Sequence, residues 1–170
     1  ADPTEEQAFT RVPAADGLAV SDGSAYVHVT SNNTIVGTQW PSMPDVGDTP
    51  LVVDASSDLL CRPIDVTRHG LIYGGAQKNL GPAGLTLVII RADLAERGPE
   101  SLPTMLRYAV AAKNGSRYNT PPVFAIYMFG LVMRWLLDNG GLAAMETRNR
   151  RKAALLYEAI DRTGFYRGTA

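Results

Sequence analysis

Apolar positions along the chain fall into short strand-like runs through its first half and two long helical patterns at its end. Residues 25–30 (Ala-Tyr-Val-His-Val-Thr) alternate with the period of a strand, and Leu51-Val52-Val53 is a short apolar run that closes on Asp54. A polar residue at the carboxyl end of a strand is where α/β proteins put chemistry. Residues 70–75 and 85–91 form two further strand candidates, the second rich in β-branched side chains, and the compact segment 75–84 lies between them. A polar loop is expected from about Arg107 to Thr120, after which Pro121 and Pro122 open a helix that runs to Leu137 and stops at Asn139-Gly140. That helix is apolar nearly all round and is expected to be largely buried. A second helix, from about Leu142 to Arg162, places Leu142, Met145, Ala153, Leu156 and Ile160 near one face and closes on Gly164. The basic cluster 148–152 reads as a solvated helix face. The first 24 residues, with two prolines and little periodicity, read as a loop or linker.

Composition narrows the class. A chain of 170 residues that is 45% hydrophobic suits one packed domain. With 16 Lys and Arg against 17 Asp and Glu, the net charge of -1 leaves no basic field for nucleic acid or anionic lipid, so neither is expected as a partner. A single cysteine, Cys61, cannot form an internal disulfide, and His28 and His69 fall outside any Cys/His metal spacing, so no metal is expected. No apolar run approaches the roughly 18 residues of a membrane span, and the start of the chain is acidic. A reducing, cytoplasmic setting is the expectation. The chain opens on Ala1 and ends on Arg167-Gly168-Thr169-Ala170, and reads as a piece of a longer protein.

The candidate chemistry is a pair: an aspartate ending one strand and a lysine following the next, 78 − 54 = 24 residues apart. Pyridoxal phosphate needs both groups, an amine for the Schiff base and for proton transfer at the substrate's α-carbon, and a carboxylate that keeps the pyridine nitrogen protonated. Strand ends in one sheet bring two such groups to opposite ends of one ring. The run Gly74-Gly75-Ala76-Gln77-Lys78-Asn79 lacks the spacing and the Ser/Thr of a P-loop, and no G-x-G-x-x-G follows a strand. A G-x-S-x-G nucleophile elbow is also lacking, and Cys61 reads as a packing residue. His28 and Trp40 likewise read as packing residues.

The run Tyr73-Gly74-Gly75-Ala76-Gln77-Lys78-Asn79-Leu80-Gly81-Pro82-Ala83-Gly84-Leu85-Thr86 resembles the cofactor-lysine signature of the phosphoserine aminotransferase family. Further stretches similar to that family follow in the same order: Asn32-Asn33-Thr34-Ile35-Val36-Gly37, Asp54-Ala55-Ser56-Ser57-Asp58 with Arg62-Pro63, Tyr118-Asn119-Thr120-Pro121-Pro122, and residues 140–157. The resemblance implies a fold-type I aminotransferase large domain, α/β, a mainly parallel sheet with helices on both faces, here incomplete. Residues 25–170 would form part of this cofactor-binding domain, with the N-terminal part and the C-terminal small domain absent. By position, Lys78 would carry pyridoxal 5'-phosphate and Asp54 would pair with its pyridine nitrogen. Thr34 would donate to the phenolic oxygen, and Gln77 would contribute near the phosphate. Asn119 and Thr120 would reach the cofactor phosphate of the neighbouring subunit in a homodimer.

The implied reaction moves an amino group between glutamate and 3-phosphohydroxypyruvate in serine biosynthesis, with a related vitamin B6 precursor as a second substrate in many bacteria. The resemblance also implies that the groups binding the substrate's carboxylate and phosphate lie outside the chain, so that the piece alone is inactive. An exposed sheet edge or apolar face is expected, of a kind that association with another copy would bury. The rivals are another fold-type I enzyme, such as a serine-glyoxylate-type aminotransferase or a cysteine desulfurase, and a non-catalytic oligomerising remnant.

Overall fold

The computed structural model describes residues 9–14 and 18–168. In chain order the elements are β1 (Val27–Thr30), β2 (Asn32–Asn33), β3 (Thr38–Gln39), β4 (Leu51–Asp54), β5 (Leu71–Gly75), β6 (Thr86–Ile90), α1 (Ala92–Ala95), α2 (Tyr108–Lys113), α3 (Val123–Asp138) and α4 (Gly141–Thr163). Four strands form one sheet in the order β1-β4-β5-β6, and β2 and β3 form a separate two-stranded ladder. β1 and β5 both run parallel to β4, whereas β6 is antiparallel to β5. The short, polar segment between β5 and β6 permits that reversal, since a parallel return needs a crossover of a dozen or more residues.

Side chains alternate across a strand, and the register therefore sorts them onto two faces. Val29, Leu51, Val53 and Ile72 share one face, where Trp40, Leu59, Ala76 and Leu80 complete the core and Phe129 and Met133 of α3 pack against it. Ile72 is 1% exposed, and burying a side chain of that size contributes about 1.5–3 kcal/mol. The opposite face carries His28, Thr30, Asp54 and Tyr73, with Thr30, Asp54, Tyr73 and Val88 side by side. One face builds the core and the other carries polar groups.

The predicted strands and both long helices are present, but three expectations needed correction. Tyr108-Ala-Val-Ala-Ala-Lys113, inside the expected loop, is helical, because a run of good helix formers outweighed its polar flanks until Asn114 and Gly115 ended it. α3 buries only Ala125 and Leu136, while Phe124 is 69% exposed. A helix apolar on all sides can turn just one stripe to a single sheet. α4 has no buried residue, and Leu156, on the face where the periodicity gathers its apolar residues, is exposed. Its end does follow the sequence: Gly164 adopts φ 60, ψ 7 and its N–H returns to the Ile160 carbonyl.

His69 sits before β5, 7% exposed, with Nδ1 donating to the Asp65 carbonyl at 2.9 Å and Nε2 buried without a partner. Burial holds its imidazole below the ordinary value, against the raising effect of the Asp65 carbonyl. The unfolded chain therefore binds this proton at higher pH than the folded one. The stability that neutral His69 contributes is intact above the unfolded value, about 6.5, and is lost as pH falls through it. Urea unfolding at about pH 7.5 and pH 5.5 should show a steeper acid loss for the parent chain than for His69→Phe. Equal losses would show that His69 is not buried neutral.

Candidate active site

Three loops leave the carboxyl ends of β1, β4 and β5 and are tied together by hydrogen bonds. Ser31 N donates to the Asp54 carbonyl at 2.9 Å, and Ala55 N to the Tyr73 carbonyl at 2.8 Å, so each parallel ladder continues one step past its strands. The Ser31 hydroxyl bonds the buried Asp58 carboxylate, whose other oxygen accepts from Gln39 at 3.0 Å. Asn32 and Ser57 are joined twice, at 2.9 and 2.6 Å. Gly75 N donates to the Ser56 hydroxyl at 3.1 Å, and Asn79 reaches back to the Leu59 carbonyl at 3.1 Å. Leu80 N and Gly81 N both return to the Ala76 carbonyl, a turn that holds Lys78 outward at the rim.

Lys78 Nζ donates to Thr34 Oγ1 at 3.1 Å, bridging the loops that follow β5 and β1. Asp54, the last residue of β4, stands on the strand between them. Burial pulls its carboxyl upward, but Ser56, through hydroxyl and backbone N–H, the Tyr73 hydroxyl and nearby His28 outweigh that and hold it below the usual carboxylate range. The Ser56 N–H contact to Asp54 Oδ1 is 2.9 Å. Asp54 is accordingly an anion at neutral pH. Gln77 folds back over Gly75, where an added Cβ would lie 2.5 Å from its Oε1. A side chain there would have to push aside the flexible end of Gln77.

The structure thus gathers Asp54, Lys78, Thr34 and Gln77 at one end of the sheet. Asn119 and Thr120 are exposed ahead of α3, where Asn119 Nδ2 faces the Thr120 carbonyl at 3.4 Å. Among the described residues they make no hydrogen bond to the other four. Trp40 packs in the core as expected, but His28 does not: it is exposed and its Nε2 lies 3.1 Å from the Tyr73 hydroxyl. Ser56, Tyr73 and Ser31 also escaped the sequence reading. Ser56 carried a local signal, two residues beyond an aspartate as in an Asx turn, whereas Tyr73 and His28 depend on strand register.

An amine and a carboxylate anion on neighbouring strand ends, with a hydroxyl beside the amine, suit a flat ligand. Such a ligand is electrophilic at one end and carries a basic ring nitrogen at the other. Fold and site together define the class: an α/β domain of the fold-type I aminotransferases. The family model for aminotransferase class-V matches residues 4–169, and the chain belongs to that family. It is 54% identical over 168 residues to the phosphoserine aminotransferase of Lysinibacillus sphaericus, an alignment covering 98% of this chain and 46% of that protein. The phosphoserine aminotransferase structure from Bacillus circulans subsp. alkalophilus superposes with a TM-score of 0.96 at 49% identity, over 98% of this chain and 46% of that one. The PLP-bound phosphoserine aminotransferase from Trichomonas vaginalis gives 0.84 at 43% identity, over 90% and 45%. The chain spans about half the length of the curated relatives it matches. Among the described residues, no helix is long and apolar enough to cross a membrane.

Proposed function

We propose that this chain carries the cofactor-holding part of a phosphoserine aminotransferase, acting on glutamate and 3-phosphohydroxypyruvate. The observation that carries the reading is the Lys78–Thr34 contact at 3.1 Å beside the ionised Asp54 on the adjacent strand end. Bound there, pyridoxal phosphate supplies an electron sink conjugated to the substrate's α-carbon. Lys78 would hold the cofactor through Nζ, which Thr34 Oγ1 meets at 3.1 Å. When free, the same amine would act as the base that moves a proton at the substrate's α-carbon. Asp54 would keep the ring nitrogen protonated, Thr34 would serve the phenolic oxygen, and Gln77 would serve the phosphate.

Residues 25–170 form part of the large domain in this reading; the linker expected over residues 1–24 lies partly outside the described residues. The rest of that domain and the small domain, with the groups that bind the substrate's carboxylate and phosphate, lie elsewhere in the whole protein. Asn119 and Thr120 reach the cofactor phosphate of a neighbouring subunit in a cytoplasmic homodimer, and a vitamin B6 precursor is a second substrate. The 170-residue chain by itself turns over neither.

A hybrid tests this. The chain replaces its matching segment in the Lysinibacillus sphaericus relative, and amino transfer is assayed from glutamate and from serine to phosphorylated and simple keto acids. Glutamate-dependent formation of phosphoserine by the hybrid, with none by the 170-residue chain, is the expected result. Transfer from serine to glyoxylate by the hybrid, or turnover by the isolated chain, would overturn the reading.

A further inference from the structure

We propose that Asp58 is a positioning residue for Thr34: its buried carboxylate clamps both legs of the β2–β3 hairpin that carries Thr34 to the Lys78 amine. The hairpin has little to hold it together by itself. Its ladder pairs Asn32 with Gln39 and Asn33 with Thr38, all four polar, and Thr34 stands in the turn beyond them. An isolated two-stranded hairpin is at best marginally stable in water, so the tip depends on what holds its base. Within the turn, Gly37 N donates to the Asn33 carbonyl at 2.9 Å and Ile35 N to Asn33 Oδ1 at 3.1 Å. Both bonds are internal to the hairpin and fasten it to nothing else, and Ile35, next to Thr34, is 93% exposed.

The base is held from the turn that follows β4. Ser31 precedes β2 and Gln39 ends β3, and each donates to a different oxygen of the Asp58 carboxylate: the Ser31 hydroxyl to Oδ1, and Gln39 Nε2 to Oδ2 at 3.0 Å. The Ser31 hydroxyl has one proton and two acceptors in reach, the Asp54 carbonyl at 3.1 Å and the carboxylate, and the charge-assisted bond takes it. One carboxylate therefore bridges the two legs of the hairpin across their open end. Asn32 and Ser57 add a reciprocal pair of bonds beside it, and Trp40 N closes the base on the Ser31 carbonyl at 2.9 Å.

Asp58 is in turn rooted in the core. Its N–H and that of Leu59 both donate to the Ala55 carbonyl, at 3.2 and 2.8 Å, and Ala55 and Leu59 are buried. A buried carboxylate gives up hydration that only well-made hydrogen bonds replace, and the two that Asp58 accepts from side chains both come from the hairpin. The same turn holds Asp54 through the Ser56 N–H, so one core-rooted segment sets both the carboxylate of β4 and the hydroxyl of the hairpin. Thr34 Oγ1 accepts from Lys78 Nζ at 3.1 Å, which leaves the Thr34 proton free for an acceptor placed beside the amine. That this acceptor is the cofactor's phenolic oxygen rests on the function proposed above; the clamp itself does not.

Amide hydrogen exchange on the cofactor-free 170-residue chain tests the clamp. In Asp58→Ala the Gly37 and Trp40 amides, whose acceptors lie in the hairpin and at its base, should exchange faster by about tenfold or more. The Gly70 amide, bonded to the Leu51 carbonyl at 2.8 Å in the main sheet, should keep its parent rate. The nuclear Overhauser contact between the Thr34 methyl and the Lys78 side chain should be lost with the hairpin's protection. Asp58→Asn keeps the shape, and a Gln39 amide turned end for end can meet it, so both readings should return toward the parent values. Gln39→Ala, at an exposed position, releases one leg alone and should give the same pattern in smaller measure, which keeps the test decisive where Asp58→Ala fails to fold. Hairpin amides as slow as the parent's in a folded variant, equal acceleration at Gly70, or no recovery in Asp58→Asn would overturn the proposal. Failure of pyridoxal phosphate to label Lys78 in the parent chain would instead count against the proposed function and would change none of these readings.

Discussion

Lys78→Ala abolishes the borohydride-fixed attachment of pyridoxal phosphate to this chain, and in the parent the label is confined to Lys78. The chain has three lysines, Lys78, Lys113 and Lys152, which makes the comparison clean. All three are exposed, and accessibility alone would label them alike. What separates Lys78 is its surroundings. The turn that carries it is closed by the Leu80 and Gly81 N–H groups on the Ala76 carbonyl, and its Nζ is already held at 3.1 Å from a hydroxyl. An amine held in one place loses less freedom on binding than one at the end of a mobile stem, so attachment there is favoured over the other two. Lys113 ends α2 and Lys152 is an exposed residue of α4, and neither amine makes a hydrogen bond to a hydroxyl among the described residues. Peptide mapping of the parent, Lys78→Ala and Asp54→Ala reads the outcome. Label lost in Lys78→Ala and reduced in Asp54→Ala is the expected pattern; equal label on all three lysines would show that the site needs groups this chain does not carry.

Leu80→Ala lowers folding stability by about 2–5 kcal/mol and weakens the same attachment. Leu80 is 1% exposed, packed with Val53, Leu59, Ile72 and Ala76, and lies two residues beyond Lys78. It is the plug by which the lysine-bearing turn is fastened to the core. Truncation removes the transfer energy of its lost carbons and leaves a cavity under that turn, and the position of Nζ relative to Thr34 is then no longer dictated. Leu80→Met conserves volume and should cost less than about 1.5 kcal/mol. Urea titration followed by circular dichroism measures the stability, and the label on Lys78 measures the position. A Leu80→Ala chain as stable as Leu80→Met would mean that the turn is held by its hydrogen bonds rather than by this anchor.

Much of the architecture could be read directly from the order of residues. The apolar run Leu51-Val52-Val53 did end in a strand with Asp54 at its carboxyl end, and Gly164 did terminate the last helix in the left-handed conformation. These signals are local, since alternation, glycine caps and prolines act within a few residues of where they stand. The two-residue strands β2 and β3 had no such signal, because polar Asn32 and Asn33 pair with Thr38 and Gln39 only once the neighbouring loops hold them. α3 showed the limit of hydrophobicity as a guide to burial, for its apolar residues outnumber the neighbours the described chain provides.

The candidate site divides along the same line. Sequence alone supplied the candidate residues for the chemistry, because a lysine in a glycine-bounded turn and an aspartate at a strand end are chemical facts before they are geometric ones. It also determined the family, since the run 73–86 is long and specific. Tertiary structure alone decided that Lys78 meets Thr34 across 44 residues of chain, and that Tyr73 stands against Asp54 with His28 behind it. Register explains the difference: a slip of one residue between strands would send each of these side chains to the other face, and strand register is set by the packing of the whole core rather than by any stretch within it.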